Sequence, residues 1–424
     1  MRASLLLVSC ALALAAQNLA AQDLRPKDVR EIGKGGSNAL PRLGELLKHP
    51  DIAIRAEAVR QITEIGTLPS LDLLVQATHD NDPEVQIRAA DGLVNFYVPG
   101  YVRTGIAASI SRAGNSIKGR FTDTNDQVVD AFITVRPDVI TAIGALVRGG
   151  NGMDVRAGAA RDAGILRGKA AVPDLLEALR SKNTDLLYES LIALQKIRDE
   201  SAGPRMTFLL RDPDPKVQIA AIETTGVLRT KEAVPDLLGV LKDAKNDKIR
   251  RAALGALAML PDEASRPAFQ RYLSDKDDKM RAAAAEGFAR LRNPSDQAEL
   301  EKAWQAEGKS QPRLSLAFAL VTSGRSEISE FSPLQYLVNN LNSSAYKGIA
   351  EPFLTELARD ESIRAKLYPM LASGTREEKM GLARVLARSG DRASLPYLEK
   401  LSKDSDPAVA SEGVRAMRNL QARL

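Results

Sequence analysis

Two histidines, His49 and His79, and one cysteine, Cys10, are the only residues of their types in the 424-residue chain. Metal and thiol chemistry draws on clusters of such side chains, so ligands for a zinc or di-iron site are scarce, and no disulfide can close within one chain. A Ser/His/Asp triad would have to use one of the two histidines. Both fall in polar turns, Lys48-His49-Pro50-Asp51 and Thr78-His79-Asp80-Asn81, whose equivalents elsewhere carry ordinary polar residues. They read as solvated or helix-terminal side chains, where a cation suits the C-terminal dipole. Gly33-Lys34-Gly35-Gly36-Ser37 has the glycines of a phosphate cradle but not the spacing or the terminal Gly-Lys-Ser/Thr of a P-loop. It reads as the stop of a short first helix. Asp275-Lys276-Asp277-Asp278 lacks the spaced ligands and central glycine of a calcium loop and reads as a solvated turn. No catalytic residue, metal or cofactor is expected.

The elements that hold these residues follow from composition. Hydrophobic residues make up 44% of the chain but aromatic ones only 4%, so apolar burial rests on Ala, Leu, Val and Ile, which favours helices packed through small side chains. The net charge is +5, from 59 basic and 54 acidic residues. Acids and bases alternate throughout, as in Arg250, Arg251, Asp262 and Glu263, which argues against nucleic acid as a partner. Residues 1–21 combine Arg2, the apolar run Ala3 to Ala16 and the exit Leu19-Ala20-Ala21, and read as a secretory signal peptide. A periplasmic or secreted location is expected. Leu7-Val8-Ser9-Cys10 resembles a lipobox, which leaves lipoprotein anchoring at Cys10 as the minor alternative. No later segment reaches the ~18 apolar residues of a membrane span.

Repetition sets the architecture. Ala171-Val172-Pro173-Asp174-Leu175-Leu176 recurs as Ala233-Val234-Pro235-Asp236-Leu237-Leu238, and Pro173, Pro204, Pro235 and Pro267 follow one another at 31, 31 and 32 residues. Each proline is expected at a helix start, where its missing N–H costs nothing. In phase with them run the anchors Val155, Leu186, Val217, Ile249 and Met280, with Ile54 and Val85 one period apart upstream. Each anchor opens an Ala-rich stripe of helical spacing, such as Met280 to Leu291. Every unit is thus helix A, a polar turn such as Asp212-Pro213-Asp214-Pro215, and helix B. Stacking the units joins apolar faces that one hairpin cannot bury alone.

These residues resemble HEAT repeats, and more closely the short HEAT-like subclass of phycocyanobilin lyases that also occurs in deoxyhypusine hydroxylase. The resemblance implies an all-α fold, a right-handed α-solenoid of about eleven or twelve hairpins. It does not carry the hydroxylase activity with it, because that family holds two irons on repeated His-Glu pairs, whereas here Pro50 follows His49 and Asp80 follows His79. Nothing beyond the repeat supports a tetrapyrrole ligand.

Val85 and Val155 lie eight residues further apart than two periods. The expected organisation is therefore a signal peptide at 1–21, a capping segment at 22–37, repeats at 38–95, an irregular insertion or distorted repeat at 96–137, and repeats with a C-terminal cap at 138–424. Five of the chain's aromatics, Phe96, Tyr97, Tyr101, Phe121 and Phe132, fall in the insertion. Residues 116–121 and 128–135 could pair there as a short β-hairpin. The aromatics either close a gap between units or form a contact site. Tyr97, Tyr101, Arg120 and Phe121 are the candidate partner-binding residues, because aromatics and arginine dominate hot spots. Arg55, Arg88, Arg156, Arg250, Arg251 and Arg281 recur near the start of helix B, after Asp51, Asp82, Asp154, Asp247 and Asp278. They read as an Asp/Arg ladder tying turn to turn, with a basic stripe on the concave helix-B face as the alternative.

The expected function is a non-catalytic scaffold or adaptor that binds a protein or peptide on the concave helix-B face, the 96–137 insertion, or both. A cofactor-binding enzyme or enzyme accessory is the competing class, and self-assembly through open ends a third possibility.

Overall fold

A computed structural model describes residues 24–101 and 127–424, and no strand occurs among them. The leader and residues 116–121 lie outside the described residues. The chain divides into two compact units, residues 1–129 with 135–197, and residues 130–134 with 198–424. In the first unit the helices are α1 (Pro26–Gly33), α2 (Leu40–Leu46), α3 (Ile52–Ile65), α4 (Leu68–Ala77), α5 (Pro83–Tyr97), α6 (Pro137–Gly149), α7 (Met153–Ile165), α8 (Val172–Ala178) and α9 (Thr184–Ile197). The second unit opens with a 3-10 helix, Glu200–Arg211, then α10 (Pro215–Val227), α11 (Val234–Asp243), α12 (Asp247–Met259), α13 (Arg266–Tyr272) and α14 (Asp278–Leu291). It continues with α15 (Gln297–Ala306), α16 (Ser310–Thr322), α17 (Pro333–Asn339), α18 (Lys347–Leu357), α19 (Glu361–Leu367), α20 (Met370–Ser373), α21 (Arg376–Ser389), α22 (Leu395–Leu401) and α23 (Pro407–Gln421). Short A helices alternate with longer B helices, and B packs on B from one hairpin to the next. This is an α-solenoid.

The repeat register is the packing register. The anchors Ile54, Val85, Val155, Leu186, Val217, Ile249 and Met280 are all buried. Pro173, Pro235 and Pro267 each sit in the first turn of an A helix as expected. Pro204 departs from the pattern, because it lies inside the 3-10 helix. Its ring supplies no N–H to an α-helical ladder, and its neighbour Gly203 faces Thr230 so closely that a Cβ there would meet the hydroxyl at 1.9 Å. Between B helices, small residues set the approach: a Cβ added to Gly226 of α10 would stand 2.9 Å from the Ala256 Cα of α12.

The polar turns between A and B carry two interactions that the sequence merged into one. Aspartates cap the B helices: Asp51 accepts from the Ala53 N–H at 2.8 Å, Asp82 from Glu84 at 2.9 Å and Asp214 from Lys216 at 2.8 Å. After five of the seven anchors the next residue reaches back to the carbonyls that end helix A. Arg55 donates to His49 and Pro50 at 2.9 and 3.2 Å, Gln86 to Asp80 at 2.7 Å, Arg156 to Val147 at 2.8 Å, Gln218 to Leu210 at 2.8 Å and Arg281 to Asp275 at 2.8 Å.

Only some of these arginines also link successive turns. Arg55 pairs with Asp80 at 2.7 Å, Arg251 with Asp277 at 2.7 Å and Arg281 with Glu307 at 2.7 Å, and Arg364 does the same with Asp391. The expected ladder is corrected at three members. Arg88 bonds Glu84 on its own helix at 2.8 Å and reaches the preceding hairpin only through the Ala56 carbonyl at 3.4 Å, Arg250 pairs with Asp247 on its own helix, and Arg156 is placed on a carbonyl.

The expected hairpin strand at 128–135 does not form. The Val129 N–H donates to the Ile165 carbonyl at 2.8 Å, and residues 131–132 turn. Within the second unit, Asp130 then accepts from Arg415 of α23 at 2.8 Å.

Several B helices stop on an arginine in the left-handed region, at Arg167, Arg198, Arg229 and Arg292, with φ of 50°, 58°, 53° and 53°. Glycine is the usual residue for such a stop, and each arginine there costs about 1 kcal/mol.

Arg281 holds two carbonyls and a half-buried carboxylate, so Arg281→Ala is expected to cost about 2 kcal/mol in urea unfolding, while Arg250→Ala stays within about 0.5 kcal/mol. Equal losses would show that the turn-to-turn link contributes nothing of its own.

Candidate functional site

Residues with chemical potential concentrate where the repeat register is broken by charge. Counting in phase with the anchors, one helix-B position holds Gly92, Ala193, Thr224, Ala256 and Gly287, but Asp162 in α7. Asp162 is 1% exposed. Its carboxylate accepts the Tyr101 hydroxyl at 3.0 Å. Burial, then the nearby charge of Asp91, push the Asp162 carboxyl well above its ordinary range, with Arg161 and the Tyr101 hydrogen bond opposing. Arg161, the next residue, faces Glu189 of α9 at 3.3 Å, and both are buried. Burial likewise raises the Tyr101 phenol.

Asp162 is thus a buried acid held by a tyrosine hydroxyl, and a carboxyl in such surroundings does acid chemistry only when a substrate can reach it. At 1% exposure it meets protein, so its present work is to fasten Tyr101. Sequence reasoning missed it because the partners are 61 residues apart. The signal that would have found it is an acid in a register of small or neutral residues.

The four expected contact residues separate. Tyr97 is 7% exposed, packs edge-on against Phe96 at 5.0 Å, and accepts the Arg136 N–H on its hydroxyl at 3.1 Å. That corrects its placement: burying the ring leaves no aromatic face for a partner. Tyr101 is half-buried on Asp162. Arg120 and Phe121 lie outside the described residues. Tyr97 and Tyr101 therefore fasten the start of the 96–137 segment.

The remaining motifs have structural employment. The His49 Nδ1 accepts the Asp51 N–H at 3.1 Å, the place that Asp80 takes toward the Asp82 N–H at 2.8 Å in the next turn. His79 sits at the end of α4 with its Nδ1 3.1 Å from the Val75 carbonyl. Lys34 ends α1 and bonds Glu31 at 2.8 Å. Asp275 and Asp277 accept backbone N–H groups at 2.8 and 2.9 Å. Among the described residues no three His, Cys, Asp or Glu side chains come together as metal ligands, and no helix is long and apolar enough to cross a membrane.

The second unit has its own half-buried charge network. Arg290 of α14 pairs with Glu286 at 3.3 Å and with Glu356 at 3.0 Å, and lies 5.2 Å from the Phe318 ring centre. Burial raises the Glu286 carboxyl, against the pull of Arg290. A depression of about 510 Å³ near α15, lined by Pro294, Gln297, Glu301 and Arg325, is open rather than enclosed.

A carboxyl raised in the folded state stabilises below its unfolded value of 3.8 and loses that contribution as pH rises through its folded value. Asp162→Asn is therefore expected to gain stability relative to the parent as pH is raised from below 4 to neutrality. Urea titrations at both ends of that window measure it, and a difference independent of pH would contradict the assignment.

A model of HEAT repeats matches residues 13–131, 204–265 and 234–321, together more than half of the chain. No curated protein sequence matches it. Among solved structures, the chain is similar to the complex of CpcE and CpcF of phycocyanin lyase from Nostoc sp. PCC7120, at 17% identity and a TM-score of 0.37, over 61% of this chain and 90% of that one. It is also similar to the Escherichia coli protein YibA, at 15% identity and a TM-score of 0.41, over 69% of this chain and 95% of that one. Kap95p, solved with RanGDP, matches at 12% identity and a TM-score of 0.44, over 93% of this chain and 58% of that one. By the repeat model, the chain belongs to the HEAT-repeat family.

Proposed function

We propose that this chain is a non-catalytic scaffold or adaptor that works outside the cytoplasm and binds a protein or peptide. The observation that carries the reading is the employment of its chemical residues: His49 and His79 complete turns, and Asp162 fastens Tyr101. A stack of hairpins offers extended helix faces, the surface on which repeat proteins receive partners. The leader at 1–21 supports export, to the periplasm or beyond, with Cys10 anchoring as the lesser route.

Within the 96–137 segment, Arg120 and Phe121 are the proposed contact residues. The concave helix-B face is the second proposed surface. An enzyme or enzyme accessory with a cofactor in the curve is the competing reading, and colour or stoichiometric iron in the purified protein would establish it.

The test is affinity capture from envelope extract with the intact chain and with Arg120→Ala/Phe121→Ala. The double variant is expected to lose a captured partner by roughly ten-fold while its melting temperature stays unchanged. Unchanged recovery of every partner would remove the segment from the proposal.

A further inference from the structure

The large apolar side chain most open to solvent among the described residues is Phe331, in the loop that joins α16 to α17 of the second unit. It is 85% exposed, and its φ is 64°. The Ser332 N–H donates to the Ser329 carbonyl at 3.0 Å, so Phe331 is the third residue of a four-residue turn. At positive φ that position suits glycine or asparagine, and a bulky side chain there is strained. Burial does not offset the strain, because the ring stands in solvent. The loop itself is braced. Arg325 donates to Glu301 of α15 at 2.7 Å and to Glu327 at 3.1 Å, Lys366 of α19 donates to Ser326 at 2.6 Å, and Ile328 packs on the core. The buried Ser332 hydroxyl accepts the Ser329 and Gln335 N–H groups at 3.2 and 3.3 Å, which ties the turn to the start of α17. An aromatic ring held out on a fixed turn is a preorganised anchor for an interface.

A hollow for such a ring lies on the same unit. The open depression of about 510 Å³ at the start of α15 is lined by Pro294, Ala298 and Arg325, the last from this same loop. The six residues from Arg325 to Phe331 span at most ~20 Å. The Trp304 ring of α15 meets the Tyr336 ring of α17 edge-on at 5.3 Å, so ring and hollow stand at the starts of neighbouring A helices. The loop also carries an acid and a base that do not serve each other. Glu330, exposed beside the ring, makes no ion pair among the described residues, and the exposed Lys366 bonds a hydroxyl rather than a carboxylate.

We propose that this face pairs with a second copy of the chain about a two-fold axis: the Phe331 ring of each copy enters the depression beside Arg325 of the other, and Glu330 of each meets Lys366 of the other. An isologous contact requires one patch that complements itself. A projecting ring beside a hollow, and an unpaired acid beside an unpaired base, make such a patch. The pairing closes at two copies, unlike assembly through open ends. It uses the starts of A helices and leaves the helix-B face to the partner of the scaffold reading, on which it does not depend.

The experiment is sedimentation velocity of the purified full chain over a wide range of concentration. A monomer–dimer equilibrium is expected. Phe331→Asn, which suits the left-handed backbone, and Ala298→Arg, which fills the depression from an exposed position, are each expected to weaken the dimer about ten-fold or more. Phe208→Ser, which removes another strongly exposed ring of the unit at 59%, is expected to change little. At a dilution where both are monomers, Phe331→Asn should melt no lower than the parent; a lower melting temperature would assign the ring to packing and overturn the anchor. Glu330→Lys and Lys366→Glu should each weaken the dimer alone and restore it together, since the swapped charges meet again across the axis. Failure of the pair to restore it would overturn the two-fold pairing. A chain that is monomeric at every concentration, growth beyond two copies, or a dimer unmoved by Phe331→Asn would each sink the proposal. A monomeric chain that loses a captured envelope protein on Phe331→Asn would give the ring to a foreign partner and overturn the second copy as its occupant.

Discussion

Short helices are expensive at their ends, and that constraint governs this molecule. A helix such as Val172–Ala178 has only seven residues, so nearly all of its N–H and C=O groups belong to the terminal turns that cannot be paired internally. Stacking such helices in numbers multiplies the problem. The chain answers it in its A-to-B turns, where in several an aspartate takes the first N–H groups of B and the residue after the anchor takes the last carbonyls of A. Apolar stacking can proceed only because these turns leave few polar groups behind.

That division of labour explains how the charged residues are spent. Arg55 and Arg281 serve the turn first and the next hairpin second, through Asp80 and Glu307. The buried pair Arg161 with Glu189 and the half-buried pair Arg290 with Glu286 lie further along the B helices. A buried pair adds little net stability over an apolar contact, but it fixes which neighbour fits.

The period was legible in the sequence because burial is periodic: the anchors recur, and the structure buries each of them. The first-turn prolines were legible for the same reason. What escaped were properties that depend on a partner distant in the chain. Nothing local told whether Asp82 would cap its own helix or meet an arginine, since both roles need an acid before helix B. Tyr97 reads as a hot-spot aromatic until the Arg136 N–H is seen on its hydroxyl. The 3-10 geometry of 200–211, with Gly203 close against Thr230, is likewise something a proline spacing of one period cannot reveal.

The close approach of Gly226 to Ala256 has a consequence for how the chain reaches this state. Residues that meet across B helices are about one period apart in sequence, so loops closed during folding stay short and their entropy cost modest. Structure can then nucleate at any well-formed hairpin and spread to either side, as in a one-dimensional chain of coupled units. A seam of glycine and alanine also has almost no rotamers to sort, so docking one hairpin on the next orders little beyond the backbone. Folding is therefore expected to be limited by the irregular hairpins, those at 200–211 and 347–389, rather than by the length of the array.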